Sequence, residues 1–253
     1  MDFGTTFLGF HSGFIVIMLV GMVLGGLTQW YIKATFKKYS KSGLSRPASG
    51  AEVAIKTLRK GNLPIANVSG QSIGNAFGKR PVTVARSTHG KLSDHFDPRS
   101  NTVALSEVVY DKSNVAAAAV AAHEVGHAMQ TAEAYLPIRI RTALAPVANF
   151  GSSMSIWLII AGLFIFSGQA LGAQLMWLGV TLFAAAVLFQ LVTLPVEFDA
   201  SRRAMILLRE TGTLTAAELP GARKVLTAAA LTYVAAALVA VMQLLWWIAL
   251  ARD

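Results

Sequence analysis

The sequence predicts a mainly α-helical membrane protein of about four transmembrane helices, with a cytoplasmic region that contains a small β-sheet. Three observations carry this expectation: four long apolar stretches, basic residues gathered beside them, and one block richer in Gly, Pro, Asn and Ser that holds short β-type runs. At 253 residues and 54% hydrophobic, with mean hydropathy +0.53, the chain is too apolar for an ordinary soluble protein.

The apolar stretches run from Phe7 to Trp30, Phe150 to Phe166, Leu175 to Leu194 and Ala228 to Leu250. Each is near the roughly 20 residues that cross a bilayer core. The first is expected to be an anchor within residues 1–30: a cleaved signal peptide would be shorter and carry its positive charge before the apolar core. Residues 150–194 read as a transmembrane hairpin and residues 228–253 as a last span. Trp30, Trp246 and Trp247 lie near span ends, where indole rings anchor at the interface.

Lys33, Lys37, Lys38, Lys41 and Arg46 follow the first span, whereas Asp2 alone carries charge before it. The positive-inside rule therefore places residues 31–149 in the cytoplasm. The uncharged turn Ser167 to Ala173 suits the outer side, and the third span returns Glu197, Arg202, Arg203 and Arg209 inside, on a cytoplasmic helix over 195–227. Ala251-Arg252-Asp253 is then an outside tail. The net charge of +9 does not signal nucleic acid, because the basic residues sit beside apolar spans and do not interleave with aromatics along a recognition helix. A lipid bilayer is the partner they suit. With no cysteine, disulfides and thiolate metal sites are excluded.

Residues 43–110 contain Pro81-Val82-Thr83-Val84-Ala85 and Thr102-Val103-Ala104-Leu105, which fit strands of a small sheet. A strand just before the next helix would offer an open edge to an extended peptide. That helix is expected from N-cap residues Ser113 and Asn114 and the alanine-rich run Val115 to Ala122. It carries His123-Glu124-Val125-Gly126-His127, and two imidazoles four residues apart on a helix point at one metal ion. Neutral His123 and His127 are expected to bind Zn²⁺ and leave room for a water whose pKa the metal lowers to about 7. Glu124 is the candidate base for that water. Gly126 is expected to admit close approach of another element.

A third ligand is needed, and His11, His89 and His95 all lie upstream, without the short downstream spacing of a three-histidine site. Glu197 is the candidate, because an acid at a membrane boundary is costly without a partner; a metal serves, and so would Arg202 or Arg203. Asp94, His95 and Asp97 ahead of Pro98 read as turn formers, with His95 also a candidate to steady a tetrahedral intermediate.

In four separated motifs the chain resembles the YugP-like neutral zinc metallopeptidases of bacterial membranes. The matching residues are Leu92-Ser93-Asp94-His95-Phe96-Asp97-Pro98, Val103-Ala104-Leu105-Ser106, Ala121 to Gln130, and Leu194-Pro195-Val196-Glu197-Phe198-Asp199-Ala200-Ser201. The resemblance implies a zinc endopeptidase of the bacterial inner membrane, multi-pass and similar in plan to HtpX-type proteases. In it a zincin-like cytoplasmic region would act on polypeptide substrates, with His123, His127 and Glu197 as ligands and Glu124 as base. HtpX-type sites place an aspartate four residues after the ligand glutamate to orient a histidine, and this chain has Ser201 there. Asp199 is one candidate for that orienting role, and other residues stay open. Two further classes remain: an intramembrane protease, which Asp111, Lys112 and Glu133 around the metal helix argue against, and an inactive zinc-stabilised scaffold.

Overall fold

The computed structural model describes residues 3–66, 72–73, 80–88, 90, 93–166 and 168–252, with side chains of the first helix from Gly13 onward. In chain order the elements are α1 (Phe3–Tyr39), α2 (Gly50–Lys60), β1 (Ile65–Ala66), β2 (Ser72–Ile73), β3 (Thr83–Arg86), β4 (His95–Asp97), β5 (Thr102–Leu105), α3 (Glu107–Tyr110), α4 (Val115–Ala132), α5 (Leu136–Ile160), a π-helical turn (Ala161–Ile165), α6 (Ala170–Glu210) and α7 (Leu219–Arg252). The chain divides into two compact units, one of Met1–Gln29, Arg139–Leu194 and Leu231–Asp253, the other of Trp30–Ile138 and Pro195–Ala230.

The first unit is built from long apolar helix. Gly13–Tyr39, Leu136–Ile165, Ala170–Glu210 and Leu219–Arg252 are each long and apolar enough to cross a membrane, and the chain is a multi-pass membrane protein. Many of its large apolar side chains point outward: Met22 and Ile165 are 67% exposed, a surface that lipid satisfies and water would not. α5 and α6 close on small residues. A Cβ on Gly179 would lie 2.8 Å from Ser155 O, and one on Gly151 2.5 Å from Leu182 O, so any side chain there would force the helices apart.

The second unit buries its apolar residues instead. α2 starts with a capping box in which Ser49 and Glu52 satisfy each other's backbone amides, and its apolar face, Val53, Ala54 and Leu58, is fully buried. β5 is the centre of a three-stranded sheet, parallel to β3 in the register Val84↔Val103 and antiparallel to β4 in the register Phe96↔Val103. β1 and β2 form an antiparallel pair, and Ile65 bridges to Val82. Against this sheet and α2 packs α4, whose Ala116, Ala117, Ala118, Ala119, Ala121 and Ala122 are all buried in one core. Asn114 caps α4 as expected, its Oδ1 accepting from Ala117 N at 2.9 Å, whereas Ser113 Oγ accepts from Ala48 N.

The structure corrects four local expectations. The strand just before α4 is the central one, so the edge falls to β4, which among the described residues pairs with β5 alone. His95–Asp97 is that strand and not a turn; only Asp97 acts as a turn former, accepting from Arg99 N and Ser100 Oγ after Pro98. The helix expected to begin near Pro195 is the continuation of α6 through the proline, and residues 211–218 separate it from α7. α5 begins at Leu136, well ahead of the apolar stretch at Phe150, because helical structure extends past the part that hydropathy reveals.

Candidate metal centre

All the residues of the centre belong to the second unit. His123 and His127 lie one turn apart on the same face of α4, and their rings meet edge to face with centroids 4.7 Å apart. α6 crosses directly behind them at Gly126: a Cβ there would stand 2.6 Å from Ala200 O, so glycine sets the distance at which α6 can deliver Glu197. Glu197 Oε2 is 3.3 Å from His123 Nε2 and 3.7 Å from His127 Nε2. The three side chains each offer a donor atom within 4.8 Å of the others and form the one group of this kind among the described residues. Side-chain exposure of 12%, 11% and 4% leaves the cluster reachable but largely out of water.

The outward nitrogens of both imidazoles are held. His127 Nδ1 faces Gln130 Oε1 at 3.0 Å, while Gln130 Nε2 donates to Val196 O at 2.8 Å and to Asp199 Oδ2 at 3.0 Å. Those two acceptors fix the amide orientation, so Oε1 must face the ring; His127 therefore carries its proton on Nδ1 and leaves Nε2 free to ligate. His123 Nδ1 lies 3.2 Å from Ser201 Oγ, which can accept its proton in the same way. Asp199 instead anchors Gln130, Arg202 and Arg203.

Gln130 is the residue that sequence reasoning missed, although its position three residues after His127 places it on the same helix face. Burial works against a charged His127, but the hydrogen bond and charge of Glu197, with the charge of Glu124, raise its pKa above the ordinary 6.5. Two neutral-capable imidazoles and a carboxylate, converging and oriented from behind, are the donor set that a four-coordinate zinc accepts with one position left open. The cluster therefore fits zinc.

Glu124 is 7% exposed, directly after His123. Its charge is felt by Asp94, whose carboxyl is pushed above the usual carboxylate range, chiefly by burial. Asp94 accepts from Ser106 N at 2.7 Å and from Ser106 Oγ, tying the start of β4 to the end of β5. His95 is exposed on β4, with Nδ1 2.8 Å from Ser93 O, and is not in the cluster. His89 lies outside the described residues, and the side chain of His11 does too.

Comparison with known proteins gives a concordant result. A family model described as "Putative neutral zinc metallopeptidase" matches residues 14–252. The chain is 40% identical over 232 residues, 92% of its length and 93% of the relative's, to the "Putative membrane protease YugP" of Bacillus subtilis (strain 168). No solved structure matches it.

Proposed function

The chain belongs to the family described as "Putative neutral zinc metallopeptidase", and from that premise we propose that it is a membrane-bound zinc endopeptidase with its site on the cytoplasmic face of the bacterial inner membrane. The observation that carries this reading is the convergence of His123, His127 and Glu197 beside buried Glu124. His123 Nε2, His127 Nε2 and a Glu197 carboxylate oxygen would hold the zinc. When bound, the metal supplies a Lewis acid that polarises a carbonyl and makes water acidic near neutral pH.

The remaining work falls to this chain's side chains. Glu124 accepts a proton from the attacking water on its carboxylate and passes it to the leaving amine nitrogen, a transfer in the range of 10²–10⁴-fold in rate for a positioned base. Ser201 and Gln130 hold the two imidazoles so that neither ring turns its Nδ1 inward. Among the described residues β4 is an edge strand of the sheet and packs against α4, a placement that supports an extended polypeptide as substrate, since added-strand hydrogen bonds accept many sequences. Membrane-associated or misfolded proteins are the substrates such tolerance suits. An intramembrane protease is disfavoured: α4 is not among the four candidate spans, and it is enclosed in the core of the second unit. The cytoplasmic orientation rests on the lysines and arginines that follow the first span.

The test is cleavage of casein by the purified full-length protein in detergent, comparing wild type with Glu124→Gln and measuring zinc in both. Cleavage lost with zinc retained is the expected result. Zinc bound with no cleavage by either form would favour the scaffold.

A further inference from the structure

The second unit holds a groove that the metal centre does not use. It runs between the end of α6 and the start of α7 as two adjoining cavities of about 370 and 690 Å³, which share Met205, Arg209 and Arg223. Its walls are apolar, with Phe198 49% and Ile206 42% exposed and Leu226 beneath them. Arg209, Arg223 and Lys224 ring it, exposed; among the described residues they engage no carboxylate and no acid lines either cavity. Arg223 and Lys224 sit near the N-terminus of α7, whose first turn carries no acid. An anion would pair with them.

A site that joins unpaired guanidinium groups to exposed hydrocarbon fits an anion with an apolar tail. Both walls belong to helices long and apolar enough to cross a membrane, so bilayer lipid is the ligand at hand. We propose that this groove binds one anionic phospholipid, its phosphate held by Arg209, Arg223 and Lys224 and an acyl chain laid along Phe198, Met205 and Ile206. The guanidinium forks match phosphate oxygens in pairs, which a choline headgroup would offset with its own positive charge.

The experiment reads binding, so it stands apart from any result on proteolysis. The full-length protein in detergent micelles is titrated with dioleoylphosphatidylglycerol or dioleoylphosphatidylcholine, and native mass spectrometry counts the lipid retained. One phosphatidylglycerol per chain is expected, held at least tenfold more tightly than phosphatidylcholine. Replacing two cations, Arg209→Gln with Arg223→Gln, should weaken it about thirtyfold, at about 1 kcal/mol or fivefold per surface cation. Lys37→Gln with Lys38→Gln, equal in charge lost, should leave it unchanged. Unaltered zinc content and helical circular dichroism show that the variants fold. Equal retention of the two lipids, equal loss in both double variants, or competition by inorganic phosphate or polyglutamate at the concentration of the lipid would each overturn the proposal.

Discussion

The two units of this protein solve opposite problems with similar residues. In the first, many large apolar side chains face outward while small ones line the helix contacts: Trp157 is 66% and Leu245 61% exposed, and Gly151 and Ser155 are buried, with Ile159, Val180 and Trp247 forming a small apolar cluster between the helices. In the second, Leu58, Leu105 and Val109 are fully buried around alanine-lined α4, and among the described residues no buried side-chain nitrogen or oxygen lacks a hydrogen-bond partner. Hydrocarbon exposure therefore means stability in one unit and damage in the other, because the surrounding solvent differs.

That contrast can be broken most sharply by one pair of equal truncations. Leu58→Ala should cost about 2–5 kcal/mol by opening a cavity in the second unit. Leu27→Ala, at a position 57% exposed in the first unit, should leave the unfolding midpoint in detergent nearly unchanged. Equal effects would show that the first unit hides an aqueous-type core.

A smaller effect is expected where the second unit buries polarity. Gln130→Leu keeps the volume but releases His127 Nδ1, and zinc affinity should fall about 10–100-fold with the fold retained. A chelator competition measures it; unchanged affinity would mean that Gln130 serves packing alone. The pH dependence follows from the same site. Because the pKa of His127 lies above 6.5, a proton competes with metal at higher pH than at an isolated imidazole, so zinc affinity should already be falling as pH drops through neutrality. Affinity flat down to pH 6 would contradict this.

The smallest effect concerns Glu218. Burial opposes its charge, but the hydrogen bonds from Thr215 and Ser45 together outweigh it and lower its pKa from 4.5 to about 2. A depressed carboxyl stabilises the fold above its unfolded pKa and loses that contribution as pH falls towards its folded value. The difference in unfolding midpoint between wild type and Glu218→Gln should therefore shrink as pH falls from 4.5 to about 2. A constant difference would show that Glu218 acts without its charge.

The units also differ in how much of them the sequence disclosed. Hydropathy exposes the spans because lipid selects apolar residues on every outward face, yet it hides where helices end: α5 starts at Leu136 and α6 continues past Pro195. Proline weakens a helix by one hydrogen bond, and a helix held on both sides of it by packing need not stop there. In the second unit, the grouping of His123, His127 and Glu197 was legible because a metal site would demand those residue types, and Gly126 because two backbones meet there. Gln130 was not, since an amide that orients a ring has no composition of its own and is recognised only by what it touches. The edge strand was misplaced for a similar reason: β4 is three residues long, too short for its alternation to stand out, and pairing order is a non-local fact.

We propose that His123, His127 and Glu197 form one zinc site. Zinc-edge X-ray absorption on the purified full-length protein tests it most directly. One zinc per chain is expected, with two imidazole nitrogens at about 2.0–2.1 Å and oxygen in the remaining positions, and with one imidazole lost in His127→Ala. Zinc absent at stoichiometric loading, or an imidazole count unchanged by that substitution, would contradict it.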